Sequence, residues 1–332
     1  MTIRTIGVIG GGAWGTALAA AARRTGCHVM LWAREKEVVD DINLNHRNDM
    51  FLPGIDLASD IRATGDLAQA ARADALLLVI PAQHLRSTCK ALEPHLEPGK
   101  PLVICSKGIE QKTGALMSQV VAETLPEARI AVLSGPTFAA EVARGLPTAV
   151  TLAVEDAQLG QPLIEALGSK FFRPYLSNDI VGTEIAGAVK NVIAIACGIV
   201  HGNKLGDNAR AAIIARGLAE ISRLGLALGG QRETLMSLAG FGDLTLTCTS
   251  MQSRNFSLGA ALGAGRSLSD ILEERHSVAE GVATAPAVLD LAAQHGVEMP
   301  ICAAVDAMIS EGQPVEQVLD TLLSRPFKTE IG

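Results

Sequence analysis

In the first half of the chain, short and almost wholly apolar runs alternate with stretches whose apolar residues recur at helical spacing. The runs at 3–9, 28–33, 61–64, 75–80, 102–106 and 130–134 are rich in leucine and β-branched residues. Their continuity leaves no polar face, which predicts parallel strands covered on both sides and joined by helices in βα units. After Thr148–Val154 the rhythm weakens. From about Asp179 onward the sequence is rich in Ala and Leu at helical spacing, with hardly any strand signal. Residues 202–207, 228–231 and 240–243 read as loops, and Pro300 and Pro314 fall at helix starts. The pattern predicts an α/β protein with a doubly wound sheet over 1–178 and an all-helical domain over 179–332. The length of 332 residues agrees, since about 150 residues per domain favours two.

Two apolar stretches admit a competing interpretation. Residues 1–22 superficially resemble a secretory signal, but Gly10, Gly11, Gly12 and Gly15 interrupt the run where a signal needs a continuous helix. Residues 185–200 are nearly all apolar, yet they carry Lys190 and Asn191 at the centre and fall short of the ~20 residues a bilayer demands. That stretch reads as a core helix, so no membrane insertion is expected. Twenty-eight basic against 35 acidic residues give a net charge of −7 and no global field to attract nucleic acid. Any anion must be caught locally. The six cysteines are scattered without a Cys-x-x-Cys pair, as expected of reduced thiols in the cytoplasm. His201, Asp207 and Glu220 match no standard ligand spacing, and no metal is expected.

The strongest local motif is Gly10-Gly11-Gly12-Ala13-Trp14-Gly15, which follows the first expected strand and opens an Ala-rich helix through Arg24. In such a turn the first glycine permits the tight bend and the second lets backbone approach a pyrophosphate. The third lets helix and strand pack closely, with the helix N-terminus facing the anion. A Rossmann-type dinucleotide site is implied. About twenty residues on, where an acid would take the ribose 2′-hydroxyl of NADH, the chain has Arg34 beside Glu35. The arginine fork suits a 2′-phosphate and favours NADPH, while Glu35 offers a ribose hydroxyl an acceptor and admits NADH.

Ligands of doubly wound sheets sit beyond the carboxyl ends of the strands. Those positions hold Pro81, then Ser106-Lys107-Gly108, then Ser134-Gly135-Pro136-Thr137. Lys107 would leave the sheet beside a nicotinamide, and Gly135 and Thr137 would offer backbone and hydroxyl groups to a substrate. Lys190 is costly inside an apolar helix unless its charge has a task, and partial desolvation would lower its pKa toward neutrality. There a lysine both donates and accepts a proton. Asp243, in Gly240-Phe241-Gly242-Asp243, presents a carboxylate able to orient a lysine. Ser253-Arg254-Asn255, just before Phe256, suits a phosphate, although Ser253 taken alone reads better as a plain helix cap.

With these residues in view, the sequence closely resembles bacterial NAD(P)-dependent glycerol-3-phosphate dehydrogenases. The ordered motifs are Gly-Gly-Gly-Ala-Trp-Gly-Thr-Ala-Leu-Ala from Gly10, Cys-Ser-Lys-Gly-Ile-Glu from Cys105 and Leu-Ser-Gly-Pro-Thr-Phe-Ala from Leu133. They continue with Ala-Val-Lys-Asn-Val from Ala188, Gly-Phe-Gly-Asp-Leu from Gly240, Ser-Arg-Asn from Ser253 and Val-Ala-Glu-Gly from Val278. The resemblance implies a Rossmann domain followed by a helical domain like that of 6-phosphogluconate dehydrogenase, usually in a homodimer. It implies reversible reduction of dihydroxyacetone phosphate to sn-glycerol 3-phosphate for phospholipid synthesis. It makes Lys190 the proton donor and acceptor, in contact with substrate, as are Lys107, Gly135, Thr137, Asp243, Ser253, Arg254 and Asn255. Trp14, Arg34, Lys107, Ala139, Arg254, Val278 and Glu280 become cofactor contacts, beside the glycines 10, 12 and 15. Ala13 stands where the family often has Ser, leaving backbone donors alone to meet the pyrophosphate there. Two rival readings stay open: another hydroxyacid or sugar-acid dehydrogenase of the same plan, which needs a carboxylate-binding set in place of Ser253-Arg254-Asn255, and a non-catalytic dinucleotide sensor, which has no use for Lys190.

Overall fold

The computed structural model describes residues 2–274, 279–324 and 326. Its first half is one eight-stranded sheet in the order β3-β2-β1-β4-β5-β6-β7-β8. The strands are β1 (Thr5–Ile9), β2 (His28–Trp32), β3 (Arg62–Thr64), β4 (Ala75–Leu78), β5 (Pro101–Ile104), β6 (Arg129–Ser134), β7 (Thr148–Val154) and β8 (Phe172–Ser177). The chain starts in the middle, winds out to β3 and crosses back to β4, so the order reverses between β1 and β4. Register levels the strand ends: Ile9 pairs with Trp32 and Leu78, Leu78 with Ile104, and Ile104 with Val132. The segments after β1, β2, β4, β5 and β6 therefore emerge along one edge.

Two details depart from the sequence pattern. β7 runs antiparallel to β6. The only helix between them, Ala139–Arg144, has six residues and spans about 9 Å at ~1.5 Å per residue. It is too short to carry the chain back along a six-residue strand of about 20 Å. β8 is a strand the pattern does not predict, because Phe172-Arg173-Pro174-Tyr175-Leu176-Ser177 lies at the sheet edge with Arg173, Tyr175 and Leu176 exposed. An edge tolerates proline and needs no apolar run.

The helical half is built on Ile180–Gly202, a 23-residue helix long and apolar enough to cross a membrane, with 89% of its most apolar window buried inside the protein. It is the central beam of the helical core rather than a lipid-facing rod. The helix Arg254–Gly263 lies against it at backbone contact, because Cβ atoms at Gly198 and Gly259 would fall on the carbonyl oxygens of Phe256 and Ile195. Pro300 opens Pro300–Ser310 and Pro314 caps Val315–Leu323. The expected loop at 240–243 is instead wound into a wide π turn, Leu238–Gly242, that runs straight into the helix Asp243–Cys248. Gly240 allows this by pressing its bare Cα against the Leu235 carbonyl. Glu220 accepts from the Ile301 and Cys302 amides at 2.7 and 3.2 Å, so it serves a helix start. All six cysteines are free and buried.

Candidate active site

The glycine turn has the geometry its spacing implies. Gly10 has a φ of +128° and no room for a Cβ beside the Val79 carbonyl, and a Cβ at Gly15 would fall on the Gly10 carbonyl oxygen. Gly12 caps the helix Ala13–Arg24 without any side-chain hydrogen bond, and nothing lies within 4 Å of where its Cβ would be. Helix N–H groups thus open onto free space, a cradle that fits a pyrophosphate. Ala13 and Trp14 begin the same helix, and Trp14 packs against the sheet core. Arg34 lies two residues past β2 with its side chain 81% exposed, paired with Glu35 at 3.1 Å. Ala139 opens the short helix Ala139–Arg144, whose cap residue Phe138 leaves the N–H groups without a side-chain acceptor.

The side-chain centre lies along the same edge. Lys107, three residues past β5, donates to Asp243 Oδ2 at 2.6 Å and reaches the Gly135 carbonyl at 3.5 Å. Lys190 donates to the other oxygen, Asp243 Oδ1, at 2.6 Å and to Thr247 Oγ1 at 2.8 Å. Asp243 is wholly buried, Lys190 is 6% exposed, and the Lys107 side chain 18%. One carboxylate therefore bridges two ammonium groups, one from each half of the molecule. Burial lowers the Lys190 pKa to about 8, with the positive charge of Lys107 adding to the fall and Asp243 opposing it. Burial by itself would lift Asp243, but the two lysines outweigh it and hold the carboxyl below its ordinary range.

The turn bearing Lys107 is anchored from behind. Gln83 donates to the Ile109 carbonyl at 2.8 Å and accepts from the Gln111 amide at 3.0 Å. Arg86 forks onto Glu110 with two bonds of 2.8 Å. Gly187, on the long helix, lies beside the stem: a Cβ there would stand 3.6 Å from Lys107 Cγ and Cδ, in ordinary contact, and 3.0 Å from Ser134 Oγ. Glu184, one turn earlier, is buried with its oxygens on the Ser118 amide and hydroxyl at 2.8 and 2.5 Å, and burial pushes its pKa up to about 7.

Other expected residues divide into rim and support. Gly135 has a φ of +142° against the Val150 backbone, and Thr137 donates to its carbonyl at 3.3 Å. Ser253 caps Arg254–Gly263 by accepting from the Phe256 amide at 3.2 Å, and Arg254 stands exposed at the first helical position. Asn255 is buried, its oxygen taken by the Gly281 amide at 3.0 Å. Glu280 opens Glu280–Gln294 beside Gly108 and Ala82. The surrounding protein raises its pKa to about 7, against the pull of Arg254 and of the Ala82 N–H. Val278 lies outside the described residues. Sequence reasoning missed Thr247, Glu184, Gln83 and Arg86. Only Thr247 left a signal, four residues after Asp243 and so on the same helix face.

Comparison with known proteins shows the family of the chain. Family models for the N-terminus and the C-terminus of NAD-dependent glycerol-3-phosphate dehydrogenase match residues 5–160 and 179–320. A glycerol-3-phosphate dehydrogenase [NAD(P)+] of Parvibaculum lavamentivorans is 57% identical over 330 residues, covering 99% of both chains. The protein of the same name from Rhodospirillum rubrum is 60% identical over 329 residues, 98% of this chain and 94% of its own. The solved glycerol-3-phosphate dehydrogenase of Coxiella burnetii superposes with a TM-score of 0.93 at 39% identity, covering 97% of this chain and 99% of the other. With both halves matched in order and relatives above half identity along nearly the whole length, the chain belongs to the family of NAD(P)-dependent glycerol-3-phosphate dehydrogenases.

Proposed function

We propose that the chain interconverts dihydroxyacetone phosphate and sn-glycerol 3-phosphate with NADPH or NADH, that Lys190 moves the proton, and that the product serves phospholipid synthesis. The observation that carries this reading is the Lys107–Asp243–Lys190 bridge at the carboxyl edge of the sheet, level with the glycine turn. A dinucleotide sensor has no need of two lysines desolvated around one carboxylate. Gly10, Gly12, Ala13, Trp14 and Gly15 would cradle the pyrophosphate, Arg34 would meet the adenosine end, and Ala139, Arg254 and Glu280 would border the rest. The bound nicotinamide supplies or takes a hydride at the substrate carbon.

The residues of the chain do the remaining work. Lys190, with a pKa of about 8, is protonated at neutral pH and gives its proton to the ketone oxygen as negative charge gathers there. In the opposite direction the neutral amine takes the proton from the hydroxyl. Lys107 places a second ammonium beside the same oxygen, and Asp243 fixes both lysines while leaving the trio one net positive charge for an anionic substrate. Thr247 sets the Lys190 head by accepting one of its hydrogens. Arg254, at a helix N-terminus capped by Ser253, holds the substrate phosphate together with Asn255, and Gly135 and Thr137 border the reacting carbon. Remote phosphate binding orients the ketone for transfer.

The resemblance supports a homodimer, and six buried free thiols support a reducing cytoplasmic setting. The direct test mixes purified protein with dihydroxyacetone phosphate and NADPH or NADH and follows loss of reduced-nicotinamide absorbance. Turnover that requires the phosphate ester is expected. No turnover with either cofactor would sink the proposal. Elution volume in size-exclusion chromatography decides the dimer.

A further inference from the structure

A buried amide touches the glycine turn from a part of the chain with no other place in the site. Asn48 follows the helix Lys36–Asn45 and is 1% exposed. Its Nδ2 donates to the Gly11 carbonyl at 2.8 Å and to Thr16 Oγ1 at 2.7 Å, and its Oδ1 accepts from the Phe51 amide at 3.3 Å. The surrounding segment is tied to itself. Asp49 N donates to Asp41 at 2.9 Å, Leu57 N donates to the His46 carbonyl at 2.8 Å, and Gly54 N donates to Asp49 at 3.1 Å.

We infer that Asn48 is a positioning residue that aims the Gly12 N–H at the cofactor diphosphate. The inference deepens the dinucleotide reading above and rests on it. In a trans peptide the C=O and the N–H of one unit point in opposite directions. Asn48 holds the Gly11 C=O toward the interior, so the N–H of Gly12, in the same peptide plane, points outward into the open space beside Gly12. A glycine-rich turn has little stiffness of its own. Here the stiffness comes from two anchors, the Gly10 amide on the Trp32 carbonyl at 3.0 Å and the Asn48 amide on Gly11 and Thr16. Thr16, wholly buried one turn into the helix, extends the second anchor to the helix whose N-terminus faces the anion.

The test is Asn48→Asp, which keeps the side-chain shape and the acceptor for Phe51 but turns the donor into a second acceptor, which the Thr16 hydroxyl can meet by donating but the Gly11 carbonyl oxygen repels. Dissociation constants for NADPH and NADH are read by fluorescence titration, with kcat at saturating cofactor and the melting temperature measured alongside. Both cofactors are expected to weaken by the same factor, about ten-fold or more, because the diphosphate is common to both. The NADPH to NADH preference and kcat should stay within about two-fold. A folded variant that melts earlier but binds both cofactors as wild type does overturns the inference, leaving Asn48 a packing residue. A change in only one cofactor overturns it too. If Asn48→Asp does not fold, Thr16→Val removes one of the two acceptors at constant volume. An equal rise of about three-fold in both constants then supports the inference, and unchanged constants reject it. Wild-type protein that binds neither NADPH nor NADH overturns the dinucleotide reading and this inference with it.

Discussion

The two walls of the cleft solve the problem of binding anions by opposite means. The sheet wall uses backbone: Gly10 and Gly15 let turn and helix close tightly, and Gly12 leaves the helix N–H groups open. The second wall, to which the sheet half gives Lys107 and the helical half Lys190 and Asp243, uses side chains in a space nearly closed to water. Backbone donors carry only partial charge and need no counter-ion, so the cradle is cheap to bury but intolerant of any added atom. Full charges bind and move protons, yet each must be compensated, because an ion stripped of both water and partner costs several kcal/mol. The cofactor wall should therefore fail by crowding, and the proton wall by loss of charge.

Lys190→Ala should give the largest effect, lowering kcat by about 10²–10⁴ in both directions with cofactor affinity nearly unchanged. In the wild type the sign of the pH response follows from the lowered pKa of about 8. Reduction needs the protonated amine, so its rate falls as pH rises through about 8, while oxidation rises through the same window. Turnover of the variant near wild-type values would falsify the assignment. Gly15→Val tests crowding: its Cβ meets the Gly10 carbonyl, and roughly 1–3 kcal/mol of overpacking should raise the dissociation constants of both cofactors by about ten- to hundred-fold. Unaltered binding would show that the turn does not contact the dinucleotide.

Arg254→Ala probes the rim of the side-chain wall. Loss of ~1.5–3 kcal/mol of charged hydrogen bonding should cut kcat/KM for dihydroxyacetone phosphate by about ten- to hundred-fold. Unphosphorylated dihydroxyacetone is the control, and equal losses on both ketones with cofactor saturating would place the phosphate clamp elsewhere. The mildest expected change is Arg34→Glu. Its side chain is 81% exposed and already paired with Glu35, so kcat/KM for NADPH should drop about ten-fold while NADH changes less. The same loss for both would remove Arg34 from the 2′-site.

Legibility in the sequence followed the same division. The glycine cradle could be read directly, because a turn built from missing side chains writes its geometry into residue type. Lys190 was legible as a charge out of place in an apolar helix, and Lys107 as a residue just past a strand. Their shared carboxylate was not derivable from spacing, since Asp243 lies 53 positions from one lysine and 136 from the other. The glycines before Asp243 read as loop residues, whereas they lie in a π turn that the close approach of Gly240 to Leu235 allows. Antiparallel β7 and edge strand β8 escaped for a related reason. Strand direction is set by how far the connecting chain can reach, and edge strands need no apolar run.

The burial of the six thiols makes them usable as a built-in clock. Cys27, Cys89 and Cys105 lie in the sheet half, and Cys197, Cys248 and Cys302 in the helical half. Burial raises Cys89 to about 11, and raises Cys105, Cys248 and Cys302 as well, so in the native protein little thiolate is present to react. Alkylating reagents must therefore wait for each half to open. The order in which the two groups of cysteines become labelled reports which half lets go first, with no engineered probe.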